Sequence, residues 1–376
     1  MVPSFYPAHI YGGPTRSSYE LCRNLAQLDC EVRVLTTDAN GLEHVLEVEK
    51  DHDVLFEEGF SVRYCRRRLR HSVSPTLVRL LRPYISWADV VHLHYVYSFP
   101  TFPTVLHCSL LNKTLIWTPR GALQRWEHSR RRGLKAIWDR LWYCAADLDH
   151  MTLHLTSEQE RHDTLARFPK LRAAVIPNGV DVPAELNPIE PDRELRLLFI
   201  GRLDPIKGIE NLLAACGTLP FSSEMGWRLT IAGWGKPAYV VQIKKQIVAL
   251  GLTERVHMVG EVLGDAKKKL FENSDVALVP SYTENFGTVV AEALAHGVPV
   301  IAGKGTPWSG LEQKGCGLWV ENDPATLASA IRRINLMPLK DMGLRGREWM
   351  QREFSWRSVA NRMLDLYRES LRTTAG

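Results

Sequence analysis

Short apolar runs alternate with amphipathic stretches along the chain, and this alternation predicts a succession of strands and helices. The first half contains five apolar runs that we interpret as strands, at residues 31–37, 88–96, 114–120, 149–157 and 172–179. Helical spacing appears between strands, as in residues 15–28. Buried strands separated by helices are typical of a parallel sheet covered on both faces.

The alternation begins again after four prolines, Pro177, Pro183, Pro188 and Pro191, which indicate a linker. Strands are predicted beyond it at residues 196–203, 227–235, 255–262, 275–281 and 299–303. Helices are predicted near residues 208–217, 238–250, 265–273, 287–296 and 356–371. The pattern therefore predicts an α/β fold with two Rossmann-like, doubly wound domains.

The beginning of the chain does not fit this pattern. A doubly wound domain normally opens with a buried strand, but only Met1 and Val2 precede the loop-like residues 3–13. Either the natural start lies upstream, or the first domain has lost most of a central strand. We favour an upstream start.

Composition is that of a two-domain globular protein, with 376 residues, 45% apolar and 24% charged. The seven cysteines form no CxxC pair, so the sequence indicates neither a zinc site nor a disulfide framework. No apolar run reaches the roughly 20 residues of a membrane span, and the N-terminus lacks a signal-peptide pattern. We therefore expect a cytoplasmic protein.

The net charge of +5 is concentrated in two basic segments, residues 63–71 and 125–140. One interpretation is that both are solvated helix faces. The other is that residues 125–140 bind an anionic surface such as lipid head groups, because Trp126, Trp138 and Trp142 interleave with basic residues. No recognition motif for nucleic acid accompanies the charge, so we expect no nucleic-acid partner.

Two glutamates, Glu284 and Glu292, flank the start of the predicted helix at residues 287–296. Their Cα atoms should lie roughly 12 Å apart, whereas the paired carboxylates of glycoside hydrolases lie roughly 5 to 9.5 Å apart. The spacing suits the hexose and the ribose at the two ends of a nucleotide sugar. The alternative is a pair of surface glutamates, which we disfavour because Glu292 lies in the apolar run VVAEALA and needs partners there.

A diphosphate would fit between these glutamates. Asn285, Phe286 and Gly287 lie at the helix start, where unpaired N–H groups favour an anion. Arg202 and Lys207, in the segment GRLDPIKG, could neutralise a diphosphate without metal. Surface charge is the ordinary explanation for these two cations, and only their position in the same half as the glutamates strengthens the functional one.

The first half has its own polar groups at predicted strand and helix ends. Gly12 and Gly13 precede a helix and permit close approach of a phosphate, although taken alone they are better explained by a flexible turn. His92 and His94 point to the same face of a strand, and His94 lies nearer its carboxyl end. A strand histidine is most often structural; the alternative is that His94 contacts substrate. Arg120 ends the next strand.

These segments together resemble the family-4 glycosyltransferases, retaining enzymes of the GT-B fold, over nearly the whole chain. The most specific element is ENFGTVVAE, the Glu-x7-Glu motif, and GRLDPIKG and IPNGVD support it. The opening SFYPAHIYGGP is similar to the family's glycine loop. The resemblance implies an acceptor-binding domain at residues 1–183, a nucleotide-sugar-binding domain at 190–355 facing it across a cleft, and a helix at 356–376 that crosses back.

The resemblance also implies residue roles. Glu284 would contact the hexose, Glu292 would hold the ribose, and Arg120 would lie on the acceptor side. Implied catalytic residues are Glu284, His94, Lys207 and Arg202. Implied donor-binding residues are Gly12, Gly13, Arg202, Lys207, Asn285, Phe286, Gly287, Thr288 and Glu292.

The implied reaction moves a hexose from a UDP- or GDP-sugar, with retained anomeric configuration, to a glycan or lipid-linked acceptor of surface polysaccharide or lipopolysaccharide biosynthesis. The leaving phosphate would serve as the base. No other cofactor is implied, and we interpret the DHD and DLD triplets at 51–53 and 147–149 as incidental rather than metal-binding. Peripheral contact with the inner face of the cytoplasmic membrane is expected if residues 125–140 bind lipid.

Other functions share parts of the pattern. An NAD-dependent dehydrogenase should show GxGxxG after a strand, and the sequence has none. A GT-B phosphorylase would need a pyridoxal phosphate lysine and a far longer chain. A non-catalytic nucleotide-sugar-binding protein of the same fold stays open as the alternative.

Overall fold

The computed structural model describes residues 2–8, 13–41, 44–69, 72–124, 132–186, 194–220 and 226–374. The chain forms two compact units, Met1–Gly179 with Trp356–Gly376, and Val180–Ser355. Both units contain parallel sheets and helices, which confirms the predicted α/β class. Of the predicted linker prolines, Pro188 and Pro191 lie outside the described residues.

The first unit contains nine described strands and six described helices. The strands are β1 Arg33–Thr37, β2 Ala39–Asn40, β3 His44–Val45, β4 Asp53–Leu55, β5 Ser61–Cys65, β6 Val90–His94, β7 Thr114–Thr118, β8 Met151–Leu155 and β9 Arg172–Val175. The helices are α1 Gly13–Ala26, α2 Pro75–Trp87, α3 Thr101–Leu110, α4 Arg132–Ala145, α5 Glu158–Arg167 and, from the chain end, α13 Trp356–Thr374.

The strands of the first unit fall mainly into two sheets. Strands β6-β7-β8-β9 form a parallel sheet in that order, and β1-β5-β4 form a second sheet in which β4 is antiparallel. Leu35 of β1 packs in the same apolar cluster as Leu93 of β6 and Trp117 of β7, so one core joins the sheets. Val2 lies beside β1, where its N–H donates to Leu35 O at 3.2 Å.

The C-terminal helix α13 belongs to the first unit. Its buried Met363 packs with Leu21 of α1 and Ile116 of β7. At the point where the chain leaves the unit, a Cβ on Gly179 would lie 2.3 Å from the Trp356 ring, so only glycine permits this contact. The helix thus completes the cover of the parallel sheet.

Helix α4 corrects one interpretation of the basic segment. Trp142 is fully buried, with its ring 4.6 Å from that of Trp117, and half-buried Trp138 donates through Nε1 to Val96 O at 2.9 Å. These two tryptophans are four positions apart and line the inner face of the helix, so they do not face a membrane. Trp126 lies outside the described residues.

The described residues of the second unit contain six strands, β10 Glu194–Ile200, β11 Gly226–Ala232, β12 Val256–Gly260, β13 Val276–Val279, β14 Val300–Gly303 and β15 Gly317–Val320. Its α-helices are α6 Ile209–Gly217, α7 Pro237–Ala249, α8 Gly264–Glu272, α9 Thr288–Ala295, α10 Gly310–Gln313, α11 Pro324–Asn335 and α12 Leu339–Trp349. Two short turns complete it, a 3-10 turn at Pro205–Lys207 and a π-helical turn at Met350–Phe354.

All six strands are parallel, in the order β12-β11-β10-β13-β14-β15. The order reverses between β10 and β13, which makes this pair the topological switch point of a doubly wound sheet. Strand β10 is apolar on both faces: Leu197 and Phe199 enter one core cluster, while Leu198 and Ile200 enter the other. Burial on both faces explains why this strand reads as a continuous apolar run.

A buried ion pair fixes the two central strands at their beginning. Arg196 Nη2 and Nε donate to the two carboxylate oxygens of Asp275 at 2.6 and 2.9 Å. The Arg196 N–H also donates to Asp275 at 2.7 Å, and the Asp275 N–H donates to Arg196 O at 2.8 Å. The guanidinium side chain is only 8% exposed.

We expect Asp275→Ala to lower the free energy of unfolding by roughly 3 kcal/mol, because it leaves the Arg196 guanidinium buried without its carboxylate. Urea unfolding followed by circular dichroism measures this. The matched control is Glu194→Ala, which breaks an exposed pair with Arg228 and should cost less than about 1 kcal/mol. Equal losses in the two variants would contradict the assignment of Arg196–Asp275 as a stability determinant.

Candidate functional site

A first cluster of predicted residues lies at the carboxyl ends of β10 and β13 in the second unit, where doubly wound sheets bind ligands. The loop after β10 passes through the 3-10 turn, and the loop after β13 leads into α9. The Tyr282 N–H donates to Ile206 O at 2.9 Å, which joins the two loops.

Gly208 permits the close approach of these loops. Its φ is +67°, and a Cβ at this position would lie 2.2 Å from Pro280 O. A side chain would therefore clash with the backbone of the neighbouring loop and strain its own backbone. Lys207, the preceding residue, is held against the β13–α9 loop as a result.

Lys207 and Glu284 form an ion pair across the two loops. Lys207 Nζ lies 2.5 Å from Glu284 Oε1, and Ser281 Oγ donates to the same oxygen at 2.8 Å. The Glu284 N–H donates to Gly305 O at 3.0 Å. The sequence predicts separate partners on the donor for these two side chains, whereas the structure brings them into contact with each other.

The start of α9 is shaped by Gly287 and Trp308. Gly287 has φ +75°, and Trp308 Nε1 donates to Phe286 O at 2.5 Å. The first N–H groups of a helix, which include that of Thr288, have no partners within the helix. Asn285, Phe286, Gly287 and Thr288 therefore line a helix amino terminus next to Glu284, while Arg202 is exposed in the loop after β10.

Glu292 lies in the second turn of α9 and is held by a lysine that sequence analysis did not select. Lys267 Nζ of α8 lies 2.6 and 2.7 Å from its two carboxylate oxygens. The only sequence signal was the run AKKKL, which reads as an ordinary basic helix face. Pairing between two helices is a tertiary contact that no local spacing reveals.

A second cluster lies at strand ends of the first unit. His94 ends β6, is buried, and stacks on His92 with ring centroids 4.4 Å apart. Arg120, in a left-handed backbone conformation after β7, donates through Nη2 to His94 Nδ1 at 3.2 Å and to Ser18 Oγ of α1 at 3.1 Å. Gly13 begins α1, and Gly12 lies outside the described residues.

Below His94, a buried hydrogen-bond chain runs across the sheet. His92 lies 2.6 Å from Tyr367 Oη and 2.7 Å from Thr118 Oγ1. Thr118 Oγ1 lies 2.8 Å from His154 Nδ1, and His154 Nε2 lies 2.9 Å from Ile176 O. Ile176 O can only accept, so His154 Nε2 carries a proton and His154 Nδ1 accepts from the Thr118 hydroxyl. Thr118 Oγ1 then accepts from His92 Nε2, and His92 Nδ1 accepts from the Tyr367 hydroxyl.

Burial keeps these imidazoles neutral. It lowers the pKa of His92 and His94 well below the ordinary value and lowers the pKa of His154 to about 4. Nearby charge on Arg120 acts in the same direction. Since His94 Nδ1 accepts from Arg120, its proton lies on Nε2, where it can serve as a neutral hydrogen-bond donor.

A buried carboxylate supports the Arg120 turn. Glu160 of α5 accepts hydrogen bonds from the Gly121 N–H at 2.5 Å and from the Thr156 N–H and Oγ1 at 2.8 and 2.9 Å. Burial raises its pKa, while these hydrogen bonds oppose the rise. No sequence motif indicates Glu160, which holds the turn that positions Arg120 through its bond to the Gly121 N–H.

The two Asp-x-Asp triplets are engaged in local contacts. Asp51 pairs with Arg66, Asp53 pairs with Arg63, and Asp147 pairs with His150. Over the described ranges, no group of three or more His, Cys, Asp or Glu side chains is arranged to hold a metal ion.

Two protein-family models match successive parts of the chain. A model described as glycosyltransferase family 4 matches residues 11–183, and one described as glycosyl transferases group 1 matches residues 186–349. The first model covers most of residues 1–179 of the first unit, and the second lies within the second unit, Val180–Ser355.

Curated relatives match parts of the chain. An uncharacterized glycosyltransferase of Methanocaldococcus jannaschii is 32% identical over 186 residues, which are 47% of this chain and 45% of that protein. A D-inositol 3-phosphate glycosyltransferase of Salinispora tropica is 29% identical over 197 residues, 48% of this chain and 39% of that protein. The chain thus spans less than half the length of these relatives.

Solved structures share the fold over nearly the full length. Sucrose-phosphate synthase from Thermosynechococcus elongatus matches with a TM-score of 0.73 and 24% identity, over 95% of this chain and 93% of that one. Anabaena HepE, solved with UDP and glucose, matches with a TM-score of 0.73 and 17% identity, over 98% of this chain and 99% of that one. WaaG, a glycosyltransferase involved in lipopolysaccharide biosynthesis, matches with a TM-score of 0.66 and 16% identity, over 95% of this chain and 96% of that one.

The neutral imidazoles predict a loss of stability in acid. The pKa of His154 is about 4 in the folded protein and about 6.5 when unfolded, so the unfolded state binds the proton first as pH falls. Protonation of His154 in the unfolded state should therefore lower the free energy of unfolding by about 2 kcal/mol between pH 7.5 and pH 5. Urea unfolding at the two pH values measures the loss.

His154→Gln should flatten this pH dependence by that amount, although its stability at pH 7.5 falls through the lost hydrogen bonds. His162→Gln removes an exposed imidazole and should keep the wild-type pH dependence. An unchanged dependence in His154→Gln would show that His154 is not the buried neutral group described above.

Proposed function

The chain belongs to the family-4 glycosyltransferases and has their GT-B fold, and we propose that it transfers a hexose from a UDP- or GDP-sugar to a hydroxyl of a glycan or lipid-linked acceptor. The observation that carries this proposal is the contact of Lys207 with Glu284 beside the start of α9. A cation, a carboxylate and a helix amino terminus meet there, and a nucleotide sugar offers a diphosphate, hydroxyls and a ribose to match them.

The solved relatives support this choice of substrates. HepE was solved with UDP and glucose, and WaaG is involved in lipopolysaccharide biosynthesis. We therefore infer a role in surface polysaccharide or lipopolysaccharide biosynthesis. Since the curated relatives match over less than half of their length, donor and acceptor are proposals for this chain.

The diphosphate is assigned to Arg202, Lys207 and the first N–H groups of α9. An ammonium has three N–H donors, so Lys207 can keep its bond to Glu284 and still donate to a phosphate oxygen. The amides of Phe286, Gly287 and Thr288 add donors at the positive end of the helix dipole. These groups stabilise the charge that develops on the leaving diphosphate without requiring metal.

Glu284 is assigned to the hexose hydroxyls and Glu292 to the ribose hydroxyls. With Oε1 of Glu284 engaged by Lys207 and Ser281, its second oxygen is oriented to accept from a sugar hydroxyl. In the first unit we assign His94 Nε2–H to a donor-sugar hydroxyl, Gly12 and Gly13 to the diphosphate, and Arg120 to the acceptor side. His94 then acts as a hydrogen-bond donor and not as a base.

The proposed transfer retains the anomeric configuration. The acceptor oxygen bonds to the anomeric carbon on the face from which the phosphate oxygen leaves, through an oxocarbenium-like state. The proton of the acceptor hydroxyl passes to the leaving phosphate, so nucleoside diphosphate and glycoside are the products. The assigned cations and amides lower the barrier by favouring the charged leaving group.

Release of nucleoside diphosphate from a panel of UDP- and GDP-sugars, with and without cell-envelope glycolipids as acceptors, tests the proposal. An enzyme should release UDP or GDP faster when its acceptor is present. The alternative, a non-catalytic binder of the same fold, should retain nucleotide sugar through purification and release no diphosphate. The second result would overturn the proposed transferase activity.

Lys207→Ala should lower kcat by roughly 10²–10³-fold, because charge on the leaving diphosphate develops in the transition state. The same release assay measures it. Lys244→Ala, on the exposed face of α7, removes an equal charge from the same unit and should leave kcat unchanged. Near wild-type activity in Lys207→Ala would mean that Lys207 does not bind the leaving group.

We further propose that α4 touches an anionic membrane surface. Leu134, Ile137 and Leu141 recur at helical spacing and are 66, 61 and 49% exposed, which is unusual for an apolar stripe. Lys135 and Arg140 flank it, and residues 125–131 of the basic segment lie outside the described residues. A stripe of this kind between basic residues suits the interface plane of a bilayer. No helix in the described ranges has the length and apolarity to cross one.

Flotation with phosphatidylglycerol-containing vesicles should show binding at low salt that weakens at 0.5 M salt, because the charges are then screened. Replacing Leu134, Ile137 and Leu141 by serine should abolish flotation. The matched control replaces Val241, Val248 and Leu250, an exposed apolar set at and just beyond α7, by serine and should float like wild type. Absence of wild-type binding at low salt would remove the membrane proposal.

A further inference from the structure

Lys267 makes an unusually complete contact with Glu292. One ammonium reaches both carboxylate oxygens, at 2.6 and 2.7 Å, from a different helix. Both side chains are largely removed from solvent, with 24% of the lysine and 17% of the glutamate exposed. The pair is therefore unlike the surface pairs within single helices, which contribute little and hold no fixed geometry.

We propose that Lys267 is a positioning residue for the ribose of the donor, acting through Glu292; this rests on the proposed function. A carboxylate has about four acceptor positions, two on each oxygen. Lys267 fills one on each, which leaves one on each oxygen for a second pair of donors. The 2′ and 3′ hydroxyls of a ribose are such a pair, since adjacent hydroxyls donate to the two oxygens together.

Glu292 lies among buried apolar residues, which explains why it needs the contact with Lys267. The neighbouring Ala291 and Ala293 are fully buried, so the carboxylate emerges from an apolar stretch of α9. Charge in such a place needs a partner, and a flexible glutamate without one loses its orientation. Lys267 supplies the opposite charge and fixes the plane of the carboxylate before the donor arrives, so less ordering is needed on binding.

Among the adjacent lysines 267 and 268, only Lys267 contacts Glu292. Lys268 is 45% exposed and lies 3.7 Å from Glu272 of its own helix. Lys267→Met and Lys268→Met therefore remove the same charge from adjacent positions of α8. Only the first touches Glu292, which makes the second a matched control.

The test compares binding of UDP and GDP with binding of their 2′-deoxy forms, by isothermal titration calorimetry on the full chain. The wild type should bind the ribonucleotide of its preferred base about tenfold more tightly than the deoxy form. Lys267→Met should bind that ribonucleotide about tenfold more weakly and the deoxy form with little change, so the preference disappears. Lys268→Met should keep it.

Deoxynucleotide binding also reports on folding, because a collapsed site would lose both ligands. Glu292→Gln should remove the preference by itself, and Lys267→Met added to it should cause no further loss, as expected for residues that act as a unit. A Lys267→Met variant that keeps the preference, or binds the ribonucleotide more tightly, overturns the inference; the latter would make Lys267 a competitor of ribose.

Failure of the proposed function gives a different result. If the wild type binds neither UDP nor GDP, the nucleotide-sugar proposal fails, and the role of Lys267 fails with it. If the wild type binds ribo and deoxy forms equally, the nucleotide site stands, but Glu292 does not hold the ribose and the inference is wrong. Only loss of an existing preference in Lys267→Met supports it.

Discussion

The contact between the loops after β10 and β13 is the constraint on which the candidate site depends. These strands are neighbours at the point where the sheet order reverses, which is where doubly wound sheets generally bind their ligands. The backbone approach at Gly208 and Pro280 then brings the loops together at their base. Lys207 meets Glu284 because of this approach, and the amino end of α9, to which we assign the diphosphate, follows directly along the chain.

Each glutamate of the motif is paired with a lysine from another element. Lys207 holds Glu284 from the 3-10 turn, and Lys267 holds Glu292 from α8. A half-buried carboxylate without a cation would be costly, so the lysines stabilise these carboxylates as well as orienting them. Lys207 also lies where we propose that the anionic diphosphate of the donor binds. Preorganised charge of this kind is what an enzyme needs at a leaving group.

In the first unit, a chain of neutral hydrogen-bonding groups, and not a set of ion pairs, orients the buried histidines. Beneath Arg120 and His94, its buried polar groups are neutral imidazoles and hydroxyls, which are linked in one direction from Tyr367 of α13 to Ile176 O. Burial suppresses protonation, and each ring is committed to one tautomer by its neighbours. The C-terminal helix therefore does more than cover apolar surface, since its tyrosine starts the chain that fixes His92 beneath His94.

The sequence alone determined the alternation of strands and helices, the division into two α/β halves and the motif that starts α9. Those features are local: period, glycine position and the chemistry of a helix start are written in consecutive residues. The pairing of Lys267 with Glu292, the support of Arg120 by Glu160 and the inward face of Trp142 were decided only by tertiary structure. Each joins residues from different elements, and which of three adjacent lysines reaches an acid depends on how two helices pack, which no spacing along one helix can specify.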